Sequence, residues 1–442
     1  MDRRTRWLLP LACVCTASAW ALDGAVDPDF GDGGQVAITR DSSQPGNGTR
    51  PTGDVAVLPD GRFLWTAPLD DGRTWVGRMR RNGTPDTFGK DGNGRVVIPA
   101  CGPSRPSMLV ADGHGGAVVW ASNCLVRLTP VGDVDAGFAG GTQPPIGLRA
   151  SGFARDAAGR YVLAGDDGTA PWVYRFTAQG LPDEAFGDAG RIPVVVPTTN
   201  GFAGLSALAL RPDGRILVAG WRGNLHGPNL VIVQYTEAGA PDPGWGDDGI
   251  VDMAPPPGHD RLYVTAMALD HDGSLVTSGI GSTGSTACCH MLARFDARGE
   301  IVPSFGLRIF TLEGSASVFP FFEQRDGIVL LPNRRIVVSA ISFRFQVPFQ
   351  RRTQYTLFRT FADGELDPAF GVNGWHSYTI DDPDDVGQTG DYEQLHAIGY
   401  DRADDSMLIL GRTFFEDHSN HHDYVTMVRA RFDLVFSDAF DR

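Results

Sequence analysis

Short apolar runs, rich in Val, Ile, Leu and aromatics, recur along the chain around a small polar pair. They stand in "VLPDGRFLW" (57 to 65), "RDAAGRYVLAG" (155 to 165), "LRPDGRILVAG" (210 to 220), "LDHDGSLVTSG" (269 to 279) and "LLPNRRIVVSA" (330 to 340), with variants at 110 to 120 and 400 to 411. Two such runs about an Asp-Gly pair predict a β-hairpin, the glycine supplying the positive φ of a tight turn. No segment keeps a helical period over 11 residues, so α/β and helical-repeat architectures are excluded.

A second phrase, an acid followed by an aromatic and a glycine cluster, reads "VDPDFGDGG" (26 to 34), "LPDEAFGDAG" (181 to 190) and "LDPAFGVNG" (366 to 374). Aligned on the aromatic, its copies fall at Phe30, Phe88, Phe138, Phe186, Trp245, Phe305, Phe370 and a worn Phe440. They divide the chain into seven units spaced 48 to 70 residues apart. A third phrase closes most units: "RMRRNG" from Arg78, "RLTPVG" from Arg127, "RFTAQG" from Arg175, "QYTEAG" from Gln234, "RFDARG" from Arg294 and "RTFADG" from Arg359. Each unit therefore holds one strand after the glycines, two about the Asp-Gly turn and one running into the third phrase. Repeats of this size and content predict an all-β fold, a seven-bladed β-propeller with four antiparallel strands per blade, over residues 22–442.

The alternation of "LDPAFGVNG", "RPDGRILVAG" and "RFDARG" resembles the delta-60 repeat, a propeller-type repeat of secreted bacterial proteins, from Leu22 to about Phe440. The resemblance implies a β-propeller and no particular enzyme activity. Three places depart from the pattern: Val302 stands where Asp is expected, Asn333-Arg334 where Asp-Gly is expected, and Phe138-Ala139 in place of Phe-Gly.

The aspartates of the second phrase are expected to fold back onto backbone N–H groups, and the aromatics to point into the groove between blades. Arg78, Arg127, Arg175 and Arg359 each precede such an aspartate by eight residues, which predicts an ion pair across the turn. Gln234 opposite Asp242 and Arg294 opposite Val302 interrupt that pattern. In an up-and-down ring the hairpins and the second-phrase turns share one face. The longer, irregular links share the other, and variable loops on rigid scaffolds are where function is expected. The strand at Gln35 to Thr39 is expected to pair into the last blade and close the ring.

Composition adds a compartment. Arg3, Arg4 and Arg6 precede an apolar stretch ending in Ala19-Trp20-Ala21, which predicts a signal peptide over 1–21 and a secreted or periplasmic protein with no transmembrane segment. Lipidation at Cys13 is opposed by the lack of a leucine three positions before it. Without the three arginines and one aspartate of this segment the formal charge falls from −15 to −17, arguing against nucleic acid or anionic membrane as a partner. Lys90 is the only lysine, which fits the codon bias of a GC-rich bacterium. Cys101 and Cys124, near strand ends of one unit, are expected to form a disulfide. The adjacent Cys288 and Cys289 either pair with each other or stay reduced.

Two clusters carry ligand-type side chains. His418, His421, His422 and Asp423 in "EDHSNHHD" have the chemistry of a transition-metal site. Asp381, Asp384 and Asp391 in "DDPDDVGQTGD" have that of a calcium loop. The alternative for both is a solvated hairpin tip, and no other cofactor is expected. Nucleophile-elbow, His-Glu-x-x-His, phosphate-loop and dinucleotide signatures are absent from the sequence. The expectation is a monomeric scaffold that binds an extracellular or periplasmic protein or glycan through the irregular face, with no catalytic residues. The competing expectation is a hydrolase, lyase or cofactor-dependent enzyme with its site in the axial channel.

Overall fold

The computed structural model describes residues 23–39, 52–103, 106–141, 147–195, 202–222, 229–283, 286–311, 327–346, 350–380, 392–417 and 420–432. Blade 1 consists of Val55–Val57, Phe63–Pro68, Thr74–Met79 and Arg95–Ile98; blade 2 of Met108–Ala111, Ala117–Ala121 and Cys124–Leu128. Blade 3 is Arg149–Arg155, Tyr161–Asp166, Pro171–Phe176 and Arg191–Pro193; blade 4 is Phe202–Leu210, Ile216–Arg222, Asn229–Tyr235 and Ile250–Met253. Blade 5 comprises Arg261–Leu269, Leu275–Thr283, Thr286–Phe295 and Leu307–Phe310; blade 6 comprises Ile328–Leu330, Ile336–Gln346, Gln350–Thr360 and Trp375–Tyr378. Blade 7 is Tyr392–Asp401, Ser406–Asp417 and Asn420–Arg431, completed by Gln35–Thr39 from the other end of the chain.

Strands are lettered a to d from the axis outward. Neighbours within each blade are antiparallel, and the a strands of successive blades pack on one another, blade 7 on blade 1, so the ring is closed. The expected seven-bladed propeller is thus present. Blade 2 has three strands among the described residues, followed by a 3-10 turn at Phe138–Gly141.

Closure takes the expected form, Gln35 pairing with Val428 and Thr39 with Tyr424. Sequence unit and blade are out of frame by one strand. The strand after each glycine cluster becomes strand d of one blade, while the rest of that unit builds the next blade.

Both faces of a blade are covered by its neighbours, so b and c strands read as continuous apolar runs rather than alternating ones. Every residue of Phe63–Pro68 and Thr74–Met79 is buried. The core lies between blades: Leu217, Ile232 and Trp245 of blade 4 pack with Val264, Leu275 and Met291 of blade 5.

The repeated aromatics sit at these junctions, with Phe30, Phe88, Phe186 and Phe370 fully buried. The residue that follows donates its backbone N–H across the junction, as Gly89 does to Val131 (2.9 Å), Gly246 to Arg298 (2.6 Å) and Gly371 to Asp23 (3.0 Å), except that Gly306 donates to Val302 (2.8 Å) in its own turn. The glycine closing the third phrase gives the ring room to seat. A Cβ on Gly299 would stand 2.7 Å from the Trp245 ring, at φ +84°. We expect Gly299→Ala to lower stability by about 1–3 kcal/mol, through strain and displacement of Trp245. Gly92, also at positive φ but with nothing within 4 Å of its added Cβ, is the control. Its alanine variant should lose no more than about 1–2 kcal/mol, and urea midpoints for the two variants check the difference.

Candidate functional site

The predicted ion pairs form, and they do more than span a turn. Arg78 Nε donates to Asp86 (2.7 Å), Arg127 Nε to Asp135 (2.8 Å), Arg175 Nε to Asp183 (2.7 Å) and Arg359 Nε to Asp367 (2.8 Å). Each guanidinium also lies over the aromatic of its own repeat, 4.5 to 5.0 Å from the ring centroid. Arg78 continues into the next blade, donating to the carbonyl of Pro130 (2.6 Å). A second arginine, from the hairpin between strands a and b, joins the same aspartate in blades 1, 4 and 6: Arg62 (3.1 Å), Arg215 (3.4 Å) and Arg335 (2.8 Å).

In blade 4, where Gln234 replaces the arginine, Gln234 Nε2 donates to Asp242 (2.7 Å) and Arg211 from the hairpin donates to Gln234 Oε1 (2.5 Å). The lock survives there by exchange of parts. The second-phrase aspartates also accept backbone N–H groups two residues on, as Gly137 to Asp135 (2.9 Å) and Ala369 to Asp367 (3.1 Å). Their oxygens serve the turn and the arginine, which is a structural role.

Blade 5 loses the lock. Val302 replaces the aspartate and Ser274 stands where the hairpin arginine of blades 1, 4 and 6 stands. The buried Arg294 turns instead to the hairpin, donating to Ser274 Oγ (3.0 Å), Asp272 (3.2 Å) and Asp270. Blade 7 is built alike: Arg429 pairs with Asp401 (2.8 Å) and Asp404 (2.6 Å), and Ser406 donates to Asp404 (2.6 Å). There, however, Arg81 from blade 1 covers the acids, 3.1 Å from Asp401, and Asp27 fills the second-phrase position. At the junction of blades 5 and 6 the residue in Arg81's place is Ala362.

The space so opened is a cavity of about 540 Å³ on the regular face. Blade 5 contributes Asp272, Ser274, Arg294, Asp296 and Arg298, and blade 6 closes it with Arg334, Ala362 and Asp363. Val302 and the buried Phe305 add apolar surface.

Arg334 is unusual. It occupies the hairpin position held by Gly61, Gly214 and Gly273 in other blades and keeps their left-handed backbone, at φ +66°. That conformation costs an arginine about 1–2 kcal/mol relative to glycine. Its side chain crosses the junction to Asp272 (3.1 Å). Partial burial works to raise the Asp272 pKa, but Ser274 and the guanidinium groups of Arg294 and Arg334 outweigh it and hold the carboxyl below the usual range.

The types of an acyl-transfer triad meet in this hairpin without forming one. His271 Nδ1 lies 2.5 Å from Asp270, but Ser274 Oγ donates to Asp272 (2.6 Å) and accepts from Arg294, so no serine-imidazole hydrogen bond exists. Half-exposed positions of the a strands are of both kinds: apolar Val57, Val110, Leu208, Leu269, Val329 and Ile398 pack against the cores between blades, whereas Ser206 and Gln394 are polar. Small polar residues recur at the bulges of these strands and bond sideways into the ring. Ser151 donates to Leu205 O (2.8 Å), Thr265 to Ser278 O (3.2 Å), and His396 Nδ1 accepts from Gly53 (3.0 Å).

Cys101 and Cys124 form the expected disulfide, Cα to Cα 5.9 Å. Asp423 is buried, and Arg412 donates to both its oxygens (2.5 and 2.6 Å). His418, Asp381, Asp384 and Asp391, with the side chains of His421, His422 and Cys288, lie outside the described residues. The Cys289 sulfur is 3.4 Å from His259 Nε2. Among the described residues no three His, Cys, Asp or Glu side chains gather as a metal site.

A family described as "Domain of unknown function (DUF5122) beta-propeller" matches residues 211–244, within blade 4. No curated protein matches the sequence. Among solved structures, a virginiamycin B lyase from Staphylococcus aureus is similar over 89% of this chain and 99% of its own, at 13% identity and a TM-score of 0.44. A polysaccharide lyase titled PL25-Ulvanlyase is similar over 93% and 95%, at 12% identity and 0.46. The Nup133 β-propeller domain of Vanderwaltozyma polyspora is similar over 85% and 93%, at 9% identity and 0.46.

Proposed function

We propose that the protein is an exported, non-catalytic binding propeller and that its recognition site is the cavity between blades 5 and 6. The observation that carries this reading is the loss of the interblade lock. Blade 5 alone has no acid at the second-phrase position, and the two departures at Val302 and Arg334 come from successive repeats yet face one cavity. Residues dispensed from holding the ring together are available for a ligand.

Several observations support export and binding. The N-terminal segment 1–21 has the features of a signal peptide, the disulfide suits an oxidising compartment, and no described helix is long and apolar enough to cross a membrane. The ligand is a protein or a glycan of that compartment. The sequence directs attention to the irregular face, but most of its long links lie outside the described residues; the built cavity is on the regular face. Ser274, turned to Asp272 and Arg294 instead of His271, speaks against an acyl-transfer site in that cavity.

Ala362→Arg tests this with the repeat's own chemistry, since Arg81 occupies the corresponding place in blade 1 and reaches the corresponding acids. The variant is expected to melt within a few degrees of the wild type and to lose binding to the partners the wild type captures on glycan and protein arrays. Capture retained in full by the variant would place recognition elsewhere.

A further inference from the structure

The cavity also indicates what it holds, given the reading of this junction as a binding site. Each aspartate around it engages one carboxylate oxygen in its own turn. Asp296 Oδ1 accepts from the N–H groups of Arg298 (2.8 Å) and Glu300 (3.0 Å), and Asp363 Oδ1 from that of Glu365 (3.0 Å). Their Oδ2 atoms accept no hydrogen bond among the described residues. The Arg298 guanidinium donates none there either, and Arg334 makes a single ion pair, through Nη2 to Asp272.

Two cationic groups, of which Arg334 keeps one ion pair, and two carboxylates thus line one cavity with donor and acceptor atoms open to solvent. A simple anion would leave Asp296 and Asp363 unpaired, and a neutral sugar would leave Arg298 without an anion and Arg334 with Asp272 alone. A basic peptide would meet two guanidinium groups. The complementary molecule carries an acid group for the arginines and hydroxyl donors for the carboxylates, with a modest apolar face for Val302 and Phe305. Arg334 strengthens the case: the left-handed backbone suits glycine, and an arginine held there at a cost in strain has its side chain in the cavity.

We propose that the cavity binds an acidic saccharide, its carboxylate on Arg298 and Arg334 and its hydroxyls on Asp296 and Asp363. Calorimetry on the full chain with trigalacturonate, its methyl ester and an acidic peptide provides the test. The acid sugar should bind, and the ester should bind at least about tenfold more weakly. Arg334→Gly, which restores the repeat's residue and relieves its backbone, should fold normally and weaken the acid sugar by a similar factor. Arg298→Gln should do the same.

Equal affinity for acid and ester would overturn the acidic specificity while leaving the junction as a site, provided that Ala362→Arg still abolishes binding. Preference for the acidic peptide, lost in Ala362→Arg, would overturn the saccharide class but not the junction. Acid-sugar binding unaffected by Ala362→Arg would remove the junction itself. No detectable binding of trigalacturonate or of mannuronate and glucuronate oligosaccharides at ~1 mM would overturn the proposal.

Discussion

Arg359→Met is expected to lower stability by about 3–5 kcal/mol, whereas Arg127→Met, at the same place in the repeat, should cost no more than about 1 kcal/mol. The two arginines make the same bond to an aspartate eight residues on; their surroundings differ. The Arg359 and Asp367 side chains are 2% and 1% exposed, and those of Arg127 and Asp135 32% and 26%. Removing Arg359 leaves a buried carboxylate with Arg335 as its remaining cation. It also severs the link to Asp23 in the segment that closes the ring, and uncovers the faces of Phe370 and Phe432. Water already shares the charge of the Arg127 pair. Urea unfolding followed by tryptophan fluorescence separates the two cases, and similar shifts for both variants would show that burial does not decide the strength of the lock.

Stability is expected to fall by on the order of 3 kcal/mol between pH 6.5 and 4 through one side chain, His290. It lies on strand c of blade 5, 3% exposed, with Phe358 and Trp375 of blade 6 at 5.8 and 6.2 Å between ring centroids. Neither ring nitrogen has a hydrogen-bond partner among the described residues. Burial keeps the imidazole neutral and pulls its pKa down to about 4. An unfolded chain titrates this histidine near 6.5, so in the window between the two values the unfolded state takes up a proton that the folded state refuses. The folded state therefore has its full stability above about pH 6.5 and loses it as the pH falls towards 4.

His290→Leu should gain about 1 kcal/mol at neutral pH, having no unpaired polar atoms to bury, and should remove this share of the pH slope. His376, whose pKa burial also lowers, remains in both proteins, so the difference between wild type and variant is the quantity to measure. Identical slopes would mean that His290 finds a partner or water in solution.

The ring could be read from the sequence because each of its parts is local. A hairpin needs only its Asp-Gly pair and flanking runs, and the lock needs only an arginine and an aspartate eight residues apart. The frame shift between unit and blade could not be read from repetition alone, since a periodic string has no marked beginning; pairing of Gln35–Thr39 with Asn420–Arg431 fixes it. The site was half visible. Val302 and Asn333-Arg334 stand out in sequence, but as worn turns in separate places, because nothing linear shows that one blade's second-phrase turn faces the next blade's hairpin. Ser274 and Ala362 carry even less signal, being ordinary residues whose importance is the bulk they lack. His290 likewise reads as one polar residue beside two cysteines until a neighbouring blade is laid against it.

The pairing that closes the ring has a mechanical consequence. Gln35 and Val428 are partners, and the chain leaves both strands from that same end, on the regular face. A load applied between the two ends of the chain would therefore peel Gln35–Thr39 from blade 7 one hydrogen bond at a time, instead of shearing all of them together. A protein pulled by both ends would thus open from its clasp, beginning with the bonds that tie Gly24, Ala25 and Asp27 to Arg429 and Arg431.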